Sequence, residues 1–207
     1  DLDFSDKRNN LGNGRRIKYE EVFPILDRFE EAGLISDLSY EFNPKRGSRE
    51  GKAAFSFIYA DSAVKDCLVN AGNILELYVW SQAMETGFFD DCKANFYFEW
   101  ESGITNELDV ILTKGLSSLV ISCKTAKFNK EHLYEISSLT NQFSVNSQPV
   151  IIYSSKLAVD DSGRLTNDLS AVKARARSMG IYLIDLNELD MPLGEKLIRI
   201  AENREQP

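Results

Sequence analysis

Apolar residues along the chain are spaced differently in a short first part and a longer second part. Between Lys18 and Gly33, Val22, Phe23, Leu26 and Phe29 fall at helical intervals, and Gly33 suits a helix stop. Leu38, Tyr40 and Phe42 then alternate with polar residues, which predicts a strand. NPKRGSREGK follows as a turn-rich loop with four cations, and AAFSFIYA predicts a second strand. The second part begins near Asp66. Gly72-Asn73 predicts a turn with Asn73 as N-cap, and ILELYVWSQAMETG a helix stopped by Gly87. KANFYFEWES, NELDVILT and SSLVISCK predict three successive strands. A helix over Asn129–Phe143, a fully apolar strand PVIIYSS, a helix over Thr166–Met179 stopped by Gly180, a strand IYLIDL and a last helix PLGEKLIRIAENR complete the chain. From residue 72 the order is α, β, β, β, α, β, α, β, α. Three consecutive strands and a fourth reached through a helix imply a mixed sheet covered on both faces.

Length adds a bound. A chain of 207 residues can build one good core plus a small appended domain. No apolar run approaches the ~20 residues needed to span a bilayer, and no secretory leader pattern is present. The chain opens on Asp1 rather than Met, as expected of a fragment or a processed chain. Asp1 to Arg16 is polar and rich in Gly and Asn, which predicts a flexible arm.

Net charge narrows the function. At -8, with a pI near 4.8, the chain is unlike a protein that coats nucleic acid without regard to sequence. The argument is weaker against a metal-dependent nuclease, whose site carboxylates are neutralised by the ion. Cys67, Cys92 and Cys123 are far apart and form no CxxC, which predicts reduced thiols in a cytoplasmic protein. His132 is the only histidine, so triad chemistry and His/Cys zinc sites have little support.

The hairpin NELDVILTKGLSSLVISCK carries the candidate chemistry. With Gly115-Leu116 as a two-residue type II′ turn, Lys114 pairs with Ser117, Asp109 with Ser122 and Glu107 with Lys124. Strand alternation then puts Glu107, Asp109, Ser122 and Lys124 on one face, and Leu108, Val110, Leu112, Ile121 and Cys123 on the other. Asp109 can hold a divalent cation, with the Cys123 backbone carbonyl as a second oxygen ligand. Lys124 can orient or deprotonate a water for attack on a phosphodiester. The plainer reading is a Glu107–Lys124 ion pair on a solvated face, contributing a few tenths of a kcal/mol. Glu76 adds weight to the first reading. It lies in ILELYVW, a helix apolar nearly all round, where a carboxylate needs a partner, a proton or a metal.

Together these segments resemble the PD-(D/E)xK nuclease superfamily, whose α-β-β-β-α-β core corresponds to Gly72–Ser155. More narrowly, GNILELYVW, NELDVILT, LVISCKT, HLYEISSL and ARSMGIYLIDLNEL resemble CRISPR-associated nucleases that join a cyclic-oligoadenylate-sensing (CARF) domain to such a nuclease. FEEAGLI and the strand pair after it resemble that family's winged-helix-like connector. The resemblance runs from about Lys18 to Leu189 and implies the C-terminal part of such a protein, without the sensory domain. It implies an α/β, restriction-endonuclease-like mixed sheet flanked by helices, with a small N-terminal winged-helix-like segment. The implied parts are an arm over 1–16, a connector over 17–70 and a nuclease-like domain over 71–207. Glu76, Asp109 and Lys124 match the family's helix acid, metal-binding Asp and catalytic Lys. Glu76, Asp109 and the Cys123 carbonyl would hold Mg2+ or Mn2+. The implied activity is endonuclease cleavage of DNA or RNA, most readily single-stranded, in antiviral defence. A cyclic oligoadenylate would switch it on in a homodimer.

One position departs from the pattern. The family reads E-x-K on the third strand, and this chain reads Ser122-Cys123-Lys124. Serine is a poor metal ligand. Glu135, Glu131 or Glu107 could supply the missing acid. The alternative is a catalytically degenerate nuclease fold that binds nucleic acid or a partner. Ser122 and the acidic balance favour it; Glu76, Asp109 and Lys124 together favour the enzyme. Elsewhere, Lys173, Arg175 and Arg177 read as a solvated helix face and His132 as a surface residue. Trp80 and Trp100 read as core or interface anchors, and Ser154 and Ser155 carry no motif.

Overall fold

The computed structural model describes residues 19–44, 51–99, 103, 105–125, 129–143, 146–154, 158–159, 165–166 and 169–207. The proposed arm over 1–16, most of the basic loop, Trp100 and Ser155 lie outside them. The chain divides into two compact units, Asp1–Val69 and Asn70–Pro207.

In the first unit, α1 (Tyr19–Glu31) precedes the antiparallel strands β1 (Ile35–Pro44) and β2 (Gly51–Tyr59), and α2 (Ser62–Val69) follows. Gly33 ends α1 at φ 71°, and its N–H returns to the Glu30 carbonyl at 2.9 Å. Leu26 and Ile35 are buried. The apolar pattern did not separate α2, because none of its residues is buried.

The second unit runs α3 (Ala71–Glu85), β3 (Asp91–Glu99), β4 (Thr105–Lys114), β5 (Ser117–Lys124), α4 (Lys130–Phe143), β6 (Ser147–Tyr153), β7 (Ala158–Val159), β8 (Leu165–Thr166), α5 (Ser170–Ser178), β9 (Tyr182–Asp185) and α6 (Leu193–Ala201). Asn70, not Asn73, caps α3, and its side chain accepts the Gly72 N–H at 2.9 Å. The helix starts earlier than the turn signal suggested, so Asn73 falls inside it. Thr166 likewise belongs to β8, which pairs with β7, and α5 begins at Ser170.

The main sheet has the order β3-β4-β5-β6-β9. β3, β4 and β5 are antiparallel neighbours, whereas β5, β6 and β9 run parallel. This is the mixed sheet that the element order implies. On one face, Leu75, Val79 and Ala83 of α3 and Leu193, Leu197 and Ile200 of α6 pack with Val110, Leu112, Ile121 and Cys123. On the other face, Leu133 and Ile136 of α4 and Val172 and Ala176 of α5 pack with Val120, Ile151 and Tyr153. β6 is covered on both sides, which explains its unbroken apolar run. Cys92 and Cys123 are buried free thiols and Cys67 is half-buried. Among the described residues no helix is long and apolar enough to cross a membrane.

Candidate active site at a strand fork

The β4–β5 ladder runs from Lys114 opposite Ser117 to Val110 opposite Ile121. Its turn has Gly115 at φ 58°, and Leu116 is 88% exposed. A positive φ at the first central residue alone is the type II′ pattern. Beyond Val110 a side chain continues what the backbone stops. Asp109 Oδ2 accepts the Cys123 N–H at 2.6 Å and the Ser122 hydroxyl at 3.2 Å.

Strand alternation breaks at this fork. Val110 and Leu112 pack under α3 and α6, whereas Leu108 packs under α4 and α5. A regular strand would keep all three on one face. Asn95, which the register places across β3 from Asp109, adopts φ 50°, a left-handed conformation uncommon outside glycine. The four polar residues therefore do not share a face. Ser122 lies in register with Ile151, which packs on the α4–α5 side. Glu107 turns to the α3 side, where it accepts the Tyr97 hydroxyl at 2.7 Å instead of pairing with Lys124. The hairpin register holds, but the break at Asp109 separates Glu107 from the lysine.

α3 delivers Glu76 to the same place. Leu75 and Val79 anchor the helix in the core, and Trp80 donates its indole N–H to the Cys92 carbonyl at 3.1 Å. The half-buried Glu76 carboxyl is pushed up to about 7, first by burial, then by the charges of Asp109 and Glu107; Lys124 acts in the opposite direction. Burial, reinforced by Asp109 and Glu76, raises the Cys123 thiol well above its ordinary value, so this sulfur stays protonated.

An all-oxygen donor set suits a hard divalent cation. Among the described residues no group of three His, Cys, Asp or Glu side chains could hold a metal ion. Glu76 and Asp109 bring two carboxylates to the fork, fewer than such a group. In extended backbone a residue's N–H and C=O point to the same edge of the strand. The Cys123 N–H meets Asp109, so the Cys123 carbonyl also opens on the fork.

The acids weighed as substitutes for the missing glutamate separate clearly. Glu107 acts on Glu76. Glu131 instead accepts the Asn129 side-chain N–H at 3.2 Å, and Glu135 is exposed on α4. His132 Nδ1 accepts the Asn129 N–H at 3.1 Å, a structural contact at the start of α4. Arg175 stands 5.8 Å from the Tyr134 ring centre, and Arg177 Nε donates to the Pro207 carbonyl at 3.2 Å. Two participants escaped the sequence reading: Tyr97 as the partner of Glu107, and Ser122 as a donor to Asp109. The first was legible in principle, since folding β3 back on β4 sets Tyr97 opposite Glu107.

A five-stranded mixed sheet, antiparallel at β3-β4-β5 and parallel from β5 onward, with helices on both faces, is the mixed α/β arrangement that the element order implies. Residues 65–192 match the model of the Card1-like endonuclease domain, and the chain belongs to that family. It is similar in fold to Can2 from Sulfobacillus thermosulfidooxidans, solved in complex with cyclic tetra-adenylate, with 24% identity and a TM-score of 0.53 over 86% of this chain and 44% of Can2. It is also similar in fold to protein VC1899 from Vibrio cholerae, with 20% identity and a TM-score of 0.61 over 90% of this chain and 44% of that one. The chain thus spans less than half the length of either structure. No curated protein matches it in sequence.

Proposed function

We propose that this endonuclease domain hydrolyses phosphodiester bonds of nucleic acid with a divalent cation, Mg2+ or Mn2+, held by Glu76, Asp109 and the Cys123 carbonyl. The observation that carries the reading is the convergence at one strand fork of Asp109, the Cys123 carbonyl edge and the helix acid Glu76, with Lys124 one residue beyond. When bound, the cation would draw charge from the scissile phosphate. Lys124 orients the attacking water and offsets the negative charge gathering on the phosphoryl oxygens. The water oxygen bonds to phosphorus as the bond to the leaving oxygen breaks; the proton lost by the water passes to solvent, and the leaving oxygen takes one from solvent. Of the three candidate substitutes, Glu107 is favoured because its charge acts on Glu76 and Tyr97 holds it by a hydrogen bond.

The family match supports a role in CRISPR antiviral defence. The likeness to a protein solved with cyclic tetra-adenylate supports control by a cyclic oligoadenylate acting on a sensory domain of a longer, dimeric protein. Single-stranded DNA or RNA is the proposed substrate. A second reading, a degenerate fold that binds without cutting, draws on Ser122 and the net charge of -8.

The test is a cleavage assay on labelled single- and double-stranded DNA and RNA in Mn2+, Mg2+ and EDTA, with Lys124→Ala alongside. Metal-dependent cutting that disappears in the variant is expected. Wild-type binding with no cutting in either metal would favour the second reading.

A further inference from the structure

Ser122 occupies the position at which the family pattern has a glutamate, and its hydroxyl does not idle there. We infer that Ser122 is a positioning residue that sets the rotation of Asp109; this rests on the metal-dependent reading above. Two adjacent residues of β5 donate to one carboxylate oxygen, Cys123 through its backbone at 2.6 Å and Ser122 through its side chain at 3.2 Å. The short backbone bond fixes where the carboxylate sits, but one bond leaves it free to turn about that contact. The second donor removes this freedom. With two donors on Oδ2, Oδ1 is the oxygen left for a cation.

The lock matters because of where Asp109 lies. The regular β4–β5 ladder has ended at Val110, and the strand has switched its packing side between Leu108 and Val110. No backbone pairing on β4 holds Asp109 against β5, so these two side-chain bonds do. Ser122 is only partly exposed, and its register partner Ile151 is fully buried. Its hydroxyl therefore has Asp109 as its near acceptor rather than bulk water. A serine here gives up a ligand and gains an orienting donor, which leaves the site with fewer carboxylates, each held in place.

The experiment compares the wild-type chain, Ser122→Ala and Ser122→Thr by two readouts. The first is the exchange rate of the Cys123 amide in EDTA, which reports the lock without metal. Loss of a hydrogen bond to a charged group is worth about tenfold. Ser122→Ala should therefore exchange about tenfold faster, and Ser122→Thr, which keeps a hydroxyl, should stay within twofold of wild type. The second is Mn2+ affinity by titration, where Ala should bind about tenfold more weakly and Thr like wild type. Melting in EDTA should stay a single cooperative transition for all three chains, with Ser122→Ala lower by a few degrees at most, which separates a local effect from misfolding. An unchanged amide rate in Ser122→Ala, or a threonine that fails like alanine, overturns the lock. A wild-type chain that binds no Mn2+ while the amide rates still differ leaves the lock standing and removes the metal reading instead.

Discussion

Replacing Glu76 with glutamine should stabilise the metal-free protein at alkaline pH and leave it unchanged at acid pH. In the folded chain this carboxyl titrates near 7 rather than at its ordinary 4.5, because burial and the charges of Asp109 and Glu107 oppose ionisation. Below about 4.5 the group is protonated in both folded and unfolded chains and costs nothing. As pH rises toward 7, the unfolded chain releases the proton while the folded chain keeps it, so stability falls. Above 7 both are ionised and the whole penalty is present. The displacement corresponds to at most ~3 kcal/mol, and partial exposure lets solvent screen it to about 1–2 kcal/mol. For a chain of this size that is roughly 2–8 °C in melting temperature. The assay is a series of thermal melts from pH 5 to 8.5 in EDTA, wild type beside Glu76→Gln. Subtracting the two curves removes every group that titrates alike in both. The variant should gain from pH 5 to 8 and then hold a constant lead. A lead that stays flat across the range, or a variant less stable at pH 8, would refute the claim that the acid is held against its neighbours.

Three further outcomes follow from the geometry. Asp109→Ala strips the acceptor from both the Cys123 N–H and the Ser122 hydroxyl, so it should cost about 1–3 kcal/mol in EDTA and abolish any melting shift caused by Mn2+; a full Mn2+ shift in the variant would place the ion elsewhere. Gly194→Ala should destabilise by about 1–3 kcal/mol on thermal or urea unfolding, because a Cβ there would stand 2.6 Å from Thr86 Cγ2 and 2.8 Å from the Gln82 carbonyl, where α6 meets α3; a neutral result would show that the helices can separate freely. Gly115→Ala should cost about 1 kcal/mol by the same melts, since the turn holds φ 58° with open space around it and the strain is purely conformational; an unchanged midpoint would argue against the type II′ turn.

What the sequence disclosed and what it concealed follow from the range of each interaction. The hairpin register was legible because a two-residue glycine turn fixes every pair after it, and Lys114 does face Ser117. The mixed sheet was legible because element order constrains topology, and β6 could be recognised as buried on both faces from its composition alone. The partial burial of Glu76 was legible because an acid inside the apolar stretch ILELYVW needs a partner, a proton or a metal. The helix cap was misplaced by three residues because Asn70 and Asn73 are equally good capping residues, and only packing decides between them. The short strands β7 and β8, of two residues each, carry too few positions for any alternation to register.

The fork was hidden for a different reason. Period-two counting assumes an unbroken strand, and over residues 107–110 the pattern of β4 is regular, with Leu108 and Val110 alternating with Glu107 and Asp109 before the apolar run Val110-Ile111-Leu112. Yet Leu108 and Val110 feed different cores, so both packings satisfy the same pattern and the sequence cannot distinguish them. At the break Asp109 accepts a backbone N–H and a hydroxyl from β5 in place of a backbone pairing, and Asn95 across the ladder turns left-handed. A glutamate at position 122 would offer no donor there. The departure at Ser122 and the break at Asp109 thus meet in one contact, since the serine that departs from the motif along the strand donates to Asp109 across the fork.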